Sequence, residues 1–304
     1  MKLKLLCEAA GIVCPHDAED LEISSLATDS RRAEKGGVFI CLRGLHSDGH
    51  AFIDDAIARG AACVLVDRCS QFESDAVIVL RCADTRRAAA FLYHAWYGFP
   101  GTRLKLIGVT GTNGKTSVTH LLRSVLEAST HPCGSIGTLG ALSPQGRLDM
   151  AEGNPLANMT TPDPEVLYRL LAEMVRAGAE YVVMETSSHA LALEKLAPLT
   201  FEAAIFTNLT PEHLDFHRTM ESYADAKARL FTQARLSIVN ADSPYAAQMQ
   251  KSAVGRCILC GVTHEDADYT AEDVELLGRE GVRYRLRSVR TRLSLACQIG
   301  RAHV

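Results

Sequence analysis

The chain of 304 residues has no run of ~18 or more apolar residues, which leaves no hydropathic candidate for a membrane-spanning helix. Its first residues, MKLKLLCEAAGI, carry no sustained apolar segment followed by a cleavage site, so no export signal is read there. Long blocks of one charge sign are missing too. The 32 basic and 36 acidic residues are interspersed and leave a net charge of −4, which argues against nucleic acid or an anionic membrane as partner and for small molecules. A cytoplasmic, monomeric protein is expected. There is no second C-x-x-C to accompany Cys257 and Cys260, and the 10 cysteines are scattered through apolar stretches such as VFICL, AACVLV and CILC. In such surroundings cysteine acts as a small buried hydrophobe, so neither a disulfide framework nor a zinc site is read. What is plentiful is apolar material: 47% of the residues are hydrophobic, enough for the two cores that a chain of this length predicts.

Leu104 to Ser117, LKLIGVTGTNGKTS, is the most informative stretch. An apolar run to Val109 predicts a buried strand, and Val118, Leu121, Leu122, Val125 and Leu126 fall at helical spacing behind the glycines. Strand, glycine loop and helix are the setting in which a phosphate-loop match has physical content. Gly111 and Gly114 let the backbone turn its N–H groups onto phosphate oxygens. The helix N-terminus adds positive potential, Lys115 reaches the outer phosphates, and Thr116 offers a hydroxyl to Mg²⁺. Gly111, Thr112, Asn113, Gly114, Lys115, Thr116 and Ser117 are therefore the expected ATP-binding residues. The fit to G-x-x-x-x-G-K-[ST] is incomplete, because Val109 stands where the first glycine belongs and Gly108 comes one residue early.

Before this stretch, residues 1 to about 100 alternate short strands and helices, and Gly98, Pro100 and Gly101 suggest a boundary. Two segments are polar for their position: Thr28-Asp29-Ser30-Arg31 and Gly44-Leu45-His46-Ser47-Asp48-Gly49-His50. Either is accounted for by turn chemistry or by ligand contact. After it, residues 134 to 158 are rich in Gly, Ser, Pro and Asn and predict a long loop. Thr160-Thr161-Pro162-Asp163 then starts a helix, as a cap, a ligand contact or both. Glu185, in ETSSHAL at the end of the strand that begins at Tyr181, sits where open parallel sheets bind ligands, as an Mg²⁺ carboxylate or as a cap of the next helix. Thr207 to His217, TNLTPEHLDFH, puts two histidines and carboxylates behind another strand, although Mg²⁺ prefers oxygen. Lys227 falls between Tyr223 and Phe231 in an apolar helical stripe. There it either extends its amine to solvent or is held neutral enough to react with CO₂.

The tight GTNGKT form, TTPDP, ETSSHAL and the histidine segment together resemble the Mur ligase family, and within it the MurE-type branch. The resemblance implies an α/β fold with a small N-terminal UDP-binding domain over residues 1–100 and a P-loop-type, mostly parallel-sheet ATPase domain over 101–297. The family's third, Rossmann-like domain is not represented. It also implies an ATP-dependent ligase that adds a diamino acid, meso-diaminopimelate or L-lysine, to UDP-MurNAc-L-Ala-D-Glu through an acyl phosphate in peptidoglycan synthesis. A MurF-type ligase and a non-catalytic nucleotide and UDP-sugar binding module are the alternatives. By the same resemblance, Thr28, Ser30, His46, Ser47, Thr160, Thr161, Ser187 and Lys195 bind substrate, with Lys195 standing where the family usually has arginine. Lys115, Glu185, His213 and Lys227 are catalytic. Thr116, Glu185, His213 and Lys227, the last as a carbamate, hold Mg²⁺.

At the end, Gln298 to Val304 is read as departing from the preceding strand pattern. Its reverse translation matches a sequencing-adapter oligonucleotide, so residues 298–304 are expected to be a non-native tail and the piece to be inactive alone.

Overall fold

The computed structural model describes residues 1–44, 47–150, 159–278 and 281–288, and the strand backbone of 295–299. The chain clusters into two units. The first comprises Met1–Pro100 with Asp163–Ala172 and Leu193–Pro198, and the second comprises Gly101–Pro162, Glu173–Ala192 and Leu199–Val304.

In the first unit, four parallel strands β1 (Leu26–Ala27), β2 (Val38–Ile40), β3 (Cys63–Asp67) and β4 (Ile78–Cys82) lie side by side in chain order. Helices α1 (Leu3–Ala10), α2 (Ile53–Ala58) and α3 (Thr85–Trp96) belong to the same unit. Parallel strands buried on both faces read as continuous apolar runs, and Cys63, Val64, Leu65 and Val66 are all fully buried. Val64 and Val66 share one core cluster with Phe39, Ile53 and Ala56. Strand β1 is only two residues long. Asp29 stops it by accepting the Arg31 N–H at 3.0 Å, which starts a single 3₁₀ turn over Ser30–Arg32. Asp48 likewise accepts from His50 N and starts a 3₁₀ turn, Gly49–Phe52, that leads into α2.

The second unit holds a sheet whose centre runs β12-β11-β10-β5-β9-β6 in parallel pairs. These strands are β5 (Lys105–Thr110), β6 (Cys133–Gly137), β9 (Tyr181–Glu185), β10 (Phe201–Phe206), β11 (Ala234–Asn240) and β12 (Arg256–Gly261). One margin adds β13 (Tyr269–Leu276), parallel to β12, then β14 (Val282–Ser288) and β15 (Leu295–Ile299) in antiparallel order. The other margin adds β7 (Gly140–Ser143) and β8 (Gly146–Leu148). This last ribbon corrects the expectation of an unstructured loop from residue 134. Cys133 to Leu148 is a three-stranded meander, because Gly140 and Gly146 take the positive φ that its tight turns require. Residues 151–158 of that expected loop lie outside the described residues. At the end of the chain the departure from the strand pattern does not begin at Gln298: Gln298 and Ile299 pair with Arg283 and Val282 as part of β15, since strand pairing depends on backbone register, and residues 300–304 of the expected tail lie outside the described residues.

Helix α4 (Lys115–Ala128) follows β5, and α5 (Pro164–Arg176) precedes β9. Helix α5 buries Val166, Leu167, Leu170, Leu171 and Met174. Short helices α6 (Ser188–Ala192), α7 (Leu214–His217), α8 (Met220–Ala228) and α9 (Ala246–Ser252) close the list. No helix among the described residues is long and apolar enough to cross a membrane.

Candidate nucleotide site

At the C-terminal end of β5 the chain turns through Gly111 to Gly114. The two glycines of the incomplete motif do different work. Gly108 is a packing glycine: a Cβ there would press on Leu230 and Phe201 at 2.9 and 3.1 Å. Gly111, with φ +149°, is the loop glycine, and a Cβ there would run into Thr207 Oγ1. Val109 is wholly buried in β5, so the phosphate-binding turn starts two residues after it. Gly114 takes φ +84° and leads directly into α4, with Lys115 as its first residue.

Residues far away in the chain hold this loop in shape. Asn208 brackets Asn113, accepting its N–H at 2.9 Å on Oδ1 and donating to its carbonyl at 3.1 Å. Thr207 Oγ1 donates to that carbonyl at 2.6 Å, Asn208 O accepts from Thr112 N at 2.9 Å, and Thr210 N donates to Thr112 Oγ1 at 3.0 Å. None of Thr207, Asn208 and Thr210 was marked from the sequence as a site residue. The segment TNLT carried the signal, since polar side chains directly after a buried strand need partners.

Lys115 Nζ donates to Gly111 O at 2.9 Å and to Thr112 O at 2.8 Å. Burial pulls its ammonium below the usual lysine range, opposed by the charges of Glu185 and Glu212. Lys227 is 1% exposed, and its Nζ donates to the same Gly111 oxygen at 2.9 Å. Two lysines thus share one carbonyl. Burial, reinforced by the Lys115 charge and opposed by Glu212, brings Lys227 down to about 7. The stripe read from sequence is real: Tyr223, Lys227 and Phe231 are all fully buried, and Lys227 Nζ lies 4.6 Å from the centre of the Tyr223 ring.

Glu185 is 1% exposed at the end of β9. Its carboxylate accepts from Thr116 Oγ1 at 3.1 Å, from Thr138 N at 2.9 Å and from Thr138 Oγ1 at 3.2 Å. Gly137 makes room for it, because a Cβ there would collide with the carboxylate. Thr138, unmarked in the sequence, also touches Thr160 through their hydroxyls at 3.1 Å. Thr161 Oγ1 donates to Glu185 O and accepts from Ser187 N, both at 2.9 Å, so this threonine clasps β9 instead of capping α5. Ser187 Oγ accepts from Ala190 N at 3.2 Å and caps α6.

His213 is exposed, has φ +55°, and lies edge-on to Tyr223 with ring centres 6.2 Å apart. It also stacks edge-on against His189 at 4.9 Å and pairs with Glu212 at 3.7 Å. Of the four expected metal-holding residues, Thr116 and Glu185 touch each other, while His213 and Lys227 both approach the Tyr223 ring. Among the described residues no three of His, Cys, Asp and Glu form a ready-made metal group.

Within the first unit, Ser30 is buried, Thr28 is half-buried, and Ser47 is exposed with its carbonyl accepting from Gly44 N at 2.8 Å. His46 lies outside the described residues. Lys195 is buried and paired with Asp163 at 2.7 Å, both in the first unit. A cleft of about 370 Å³ in this unit is lined by Ser24, Arg31, Arg32, Trp96, Tyr97 and Glu165, among others, and not by Thr28, Ser30 or Ser47.

Comparison with known proteins agrees with this geometry. Residues 109–299 match the model of the Mur ligase middle domain, and residues 22–95 match that of the Mur ligase family, catalytic domain. The UDP-N-acetylmuramoyl-L-alanyl-D-glutamate–2,6-diaminopimelate ligase of Clostridium perfringens is 38% identical over 261 residues, covering 84% of this chain and 52% of its own length. Its counterpart in Chlorobaculum tepidum is 44% identical over 247 residues, covering 80% and 47%. A solved structure of an enzyme with that name superposes on 98% of this chain and 60% of its own with a TM-score of 0.80 at 29% identity. A MurF structure from Acinetobacter baumannii, at 22% identity and a TM-score of 0.59, shares the fold. The chain spans about half the length of the curated relatives it matches. With one family model running from the end of β5 through β15 and a second matching most of the N-terminal unit, this chain belongs to the Mur ligase family, as a homologue of its MurE-type members.

Proposed function

We propose that the protein containing this chain is a cytoplasmic, ATP-dependent, amide-forming ligase that adds a diamino acid to UDP-MurNAc-L-Ala-D-Glu in peptidoglycan synthesis. The names of the relatives favour 2,6-diaminopimelate over lysine. The observation that carries the reading is the arrangement at Gly111: two buried lysines on one loop carbonyl, next to a loop whose Thr116 meets the buried Glu185. In this reading residues 101–297 form the ATPase domain and residues 1–100 hold the uridine diphosphate sugar, through Thr28, Ser30, His46 and Ser47. Thr160, Thr161, Ser187 and Lys195 contact the peptide end.

The loop N–H groups and the start of α4 accept the ATP phosphates, and Lys115 swings its ammonium from the two loop carbonyls to the outer phosphate. Phosphoryl transfer to the substrate γ-carboxylate gives an acyl phosphate. Attack by the diamino acid's amine then releases phosphate and leaves the amide. Mg²⁺, when bound, supplies charge neutralisation on the transferring phosphoryl group. Thr116 and Glu185 fit it as hard oxygen donors, and a cation that keeps several waters and phosphate oxygens does not require a nest of three side chains.

Lys227 as an ammonium does not fit a cation site; as a carbamate it does. The neutral amine adds to CO₂, a new N–C bond forms, one proton leaves to solvent, and the product carries an anionic carboxylate. One N–H remains to donate to Gly111 O. The change of sign turns the Lys115–Lys227 repulsion into attraction, and His213, edge-on to Tyr223, would supply a further ligand. The test is calorimetric titration of this chain with Mg·ATP and with UDP-MurNAc-L-Ala-D-Glu, alongside phosphate release by the longer protein. In the latter, Lys227→Ala should lose activity that short carboxylic acids partly restore. A solvent-facing, unmodified Lys227 in a nucleotide complex would refute the carbamate, and absence of Mg·ATP turnover in the longer protein would refute the ligase.

A further inference from the structure

Tyr223 is buried without a trace of exposure, yet the sequence marks it only as an apolar neighbour of Lys227. Its ring and hydroxyl meet Lys227 of its own helix, His213 and His217 at α7, and Thr112 of the loop. Its face carries Lys227 Nζ at 4.6 Å. His217 stacks on the ring, with centres 4.9 Å apart and planes 27° apart, and His217 Nε2 is anchored to Ser188 Oγ at 2.9 Å. The Tyr223 hydroxyl meets Thr112 Oγ1 of the phosphate loop at 3.3 Å, and His213 approaches edge-on at 6.2 Å. Because Tyr223 and Lys227 are one helical turn apart on α8, the helix touches the loop twice: the tyrosine at Thr112 and the lysine at Gly111. We infer that Tyr223 is a positioning residue of the nucleotide site, a ring platform that fixes the Lys227 side chain against Gly111 O and ties α8 to the phosphate loop.

The ring and the hydroxyl have separable parts in this. An aromatic face holds a desolvated ammonium through its quadrupole. Leu or Met at this position would fill the volume but offer no such face. The hydroxyl is one of several bonds on Thr112, which Thr210 also holds, so its loss should matter less. Burial, then the neighbours His189, Lys227 and His213, bring the pKa of His217 down to about 4, so the stacked imidazole adds no competing cation at neutral pH.

The inference rests on the proposed role of Lys227 but is testable apart from it. Lys227 labelling by acetic anhydride, read by mass spectrometry on this chain, reports how firmly the amine is held whether or not it is ever carbamylated. Tyr223→Phe should label within about threefold of wild type, and Tyr223→Met about tenfold or more faster at equal circular dichroism. Equal rates for wild type and Tyr223→Met would overturn the platform, as would Tyr223→Phe behaving like Tyr223→Met. Should Tyr223→Met fail to fold, ¹³Cε-lysine NMR of the wild type decides: the Lys227 ε-protons should be shifted upfield by the ring, and an unshifted resonance sinks the idea. Bicarbonate labelled with ¹³C separates the two readings. No carbamate signal in wild type removes the modification and leaves the labelling contrast standing.

Discussion

Two polar loops at the ends of parallel strands, Gly111–Ser117 in the second unit and Thr28–Arg32 in the first, are held in opposite ways. Asp29 satisfies its own turn, accepting from Arg31 N at 3.0 Å and pairing with the Arg31 guanidinium at 2.6 Å. Asp48 does the same for His50 in the neighbouring stretch. The phosphate loop instead draws its bonds from Thr207, Asn208, Thr210 and Lys227, roughly a hundred residues later in the chain. A loop that closes on itself is shaped by turn chemistry whether or not it binds anything. One shaped by distant side chains, with two lysines brought against a single carbonyl, holds costly groups that folding alone does not call for.

This contrast can be broken most severely at Lys115. Lys115→Ala should weaken Mg·ATP binding by about 100-fold, the loss of a charge-assisted contact to phosphate, and leave UDP-MurNAc-dipeptide binding within about twofold in the same titration. Equal loss of both ligands would mean that the two loops do not serve separate sites.

Lys227→Met comes next. Because the folded-state value of about 7 lies below the ordinary 10.5, the unfolded chain binds more protons between these limits. Lys227 therefore makes stability rise with pH across that window, and its penalty is largest below about pH 7. In CO₂-free buffer, urea unfolding should show the variant about 1–3 kcal/mol more stable at pH 6.5, with the gain shrinking toward pH 10. A gain independent of pH would contradict the burial of a titrating amine. Glu185→Gln keeps the shape beside Thr116 and Thr138, so Tm should hold. The Mg²⁺ enhancement of ATP binding should fall about tenfold, and an undiminished enhancement would place the cation elsewhere. Smallest is Asp29→Ala, which removes one exposed turn bond and should cost about 0.5 kcal/mol or less in urea unfolding, with Mg·ATP affinity unchanged.

How much could be read in advance varied with the range of the interaction. The GTNGKT loop between strand and helix was legible because its chemistry is local: a positive-φ glycine, a helix start and a lysine within six residues. The stripe Tyr223–Lys227–Phe231 was legible from helical spacing, and all three are buried. The meander after Cys133 was not, since Gly, Ser and Pro mark a loop and a string of tight turns equally well. Thr138 and Asn208 were missed for another reason. Each is an ordinary polar residue until the sheet order places β6 next to β9, and β10 next to β5.

By itself, the sequence determined the alternation of strands and helices, the phosphate loop and the family resemblance, because these depend on periodicity and on residues adjacent in the chain. Only the tertiary structure decided that Lys227 shares Gly111 O with Lys115, that Gly137 yields its space to the Glu185 carboxylate, and that Tyr223 meets His213, His217 and the loop together. Those are meetings of groups far apart in the chain. Strand order within the sheet sets them, and one-dimensional patterning carries no record of which strand lies beside which.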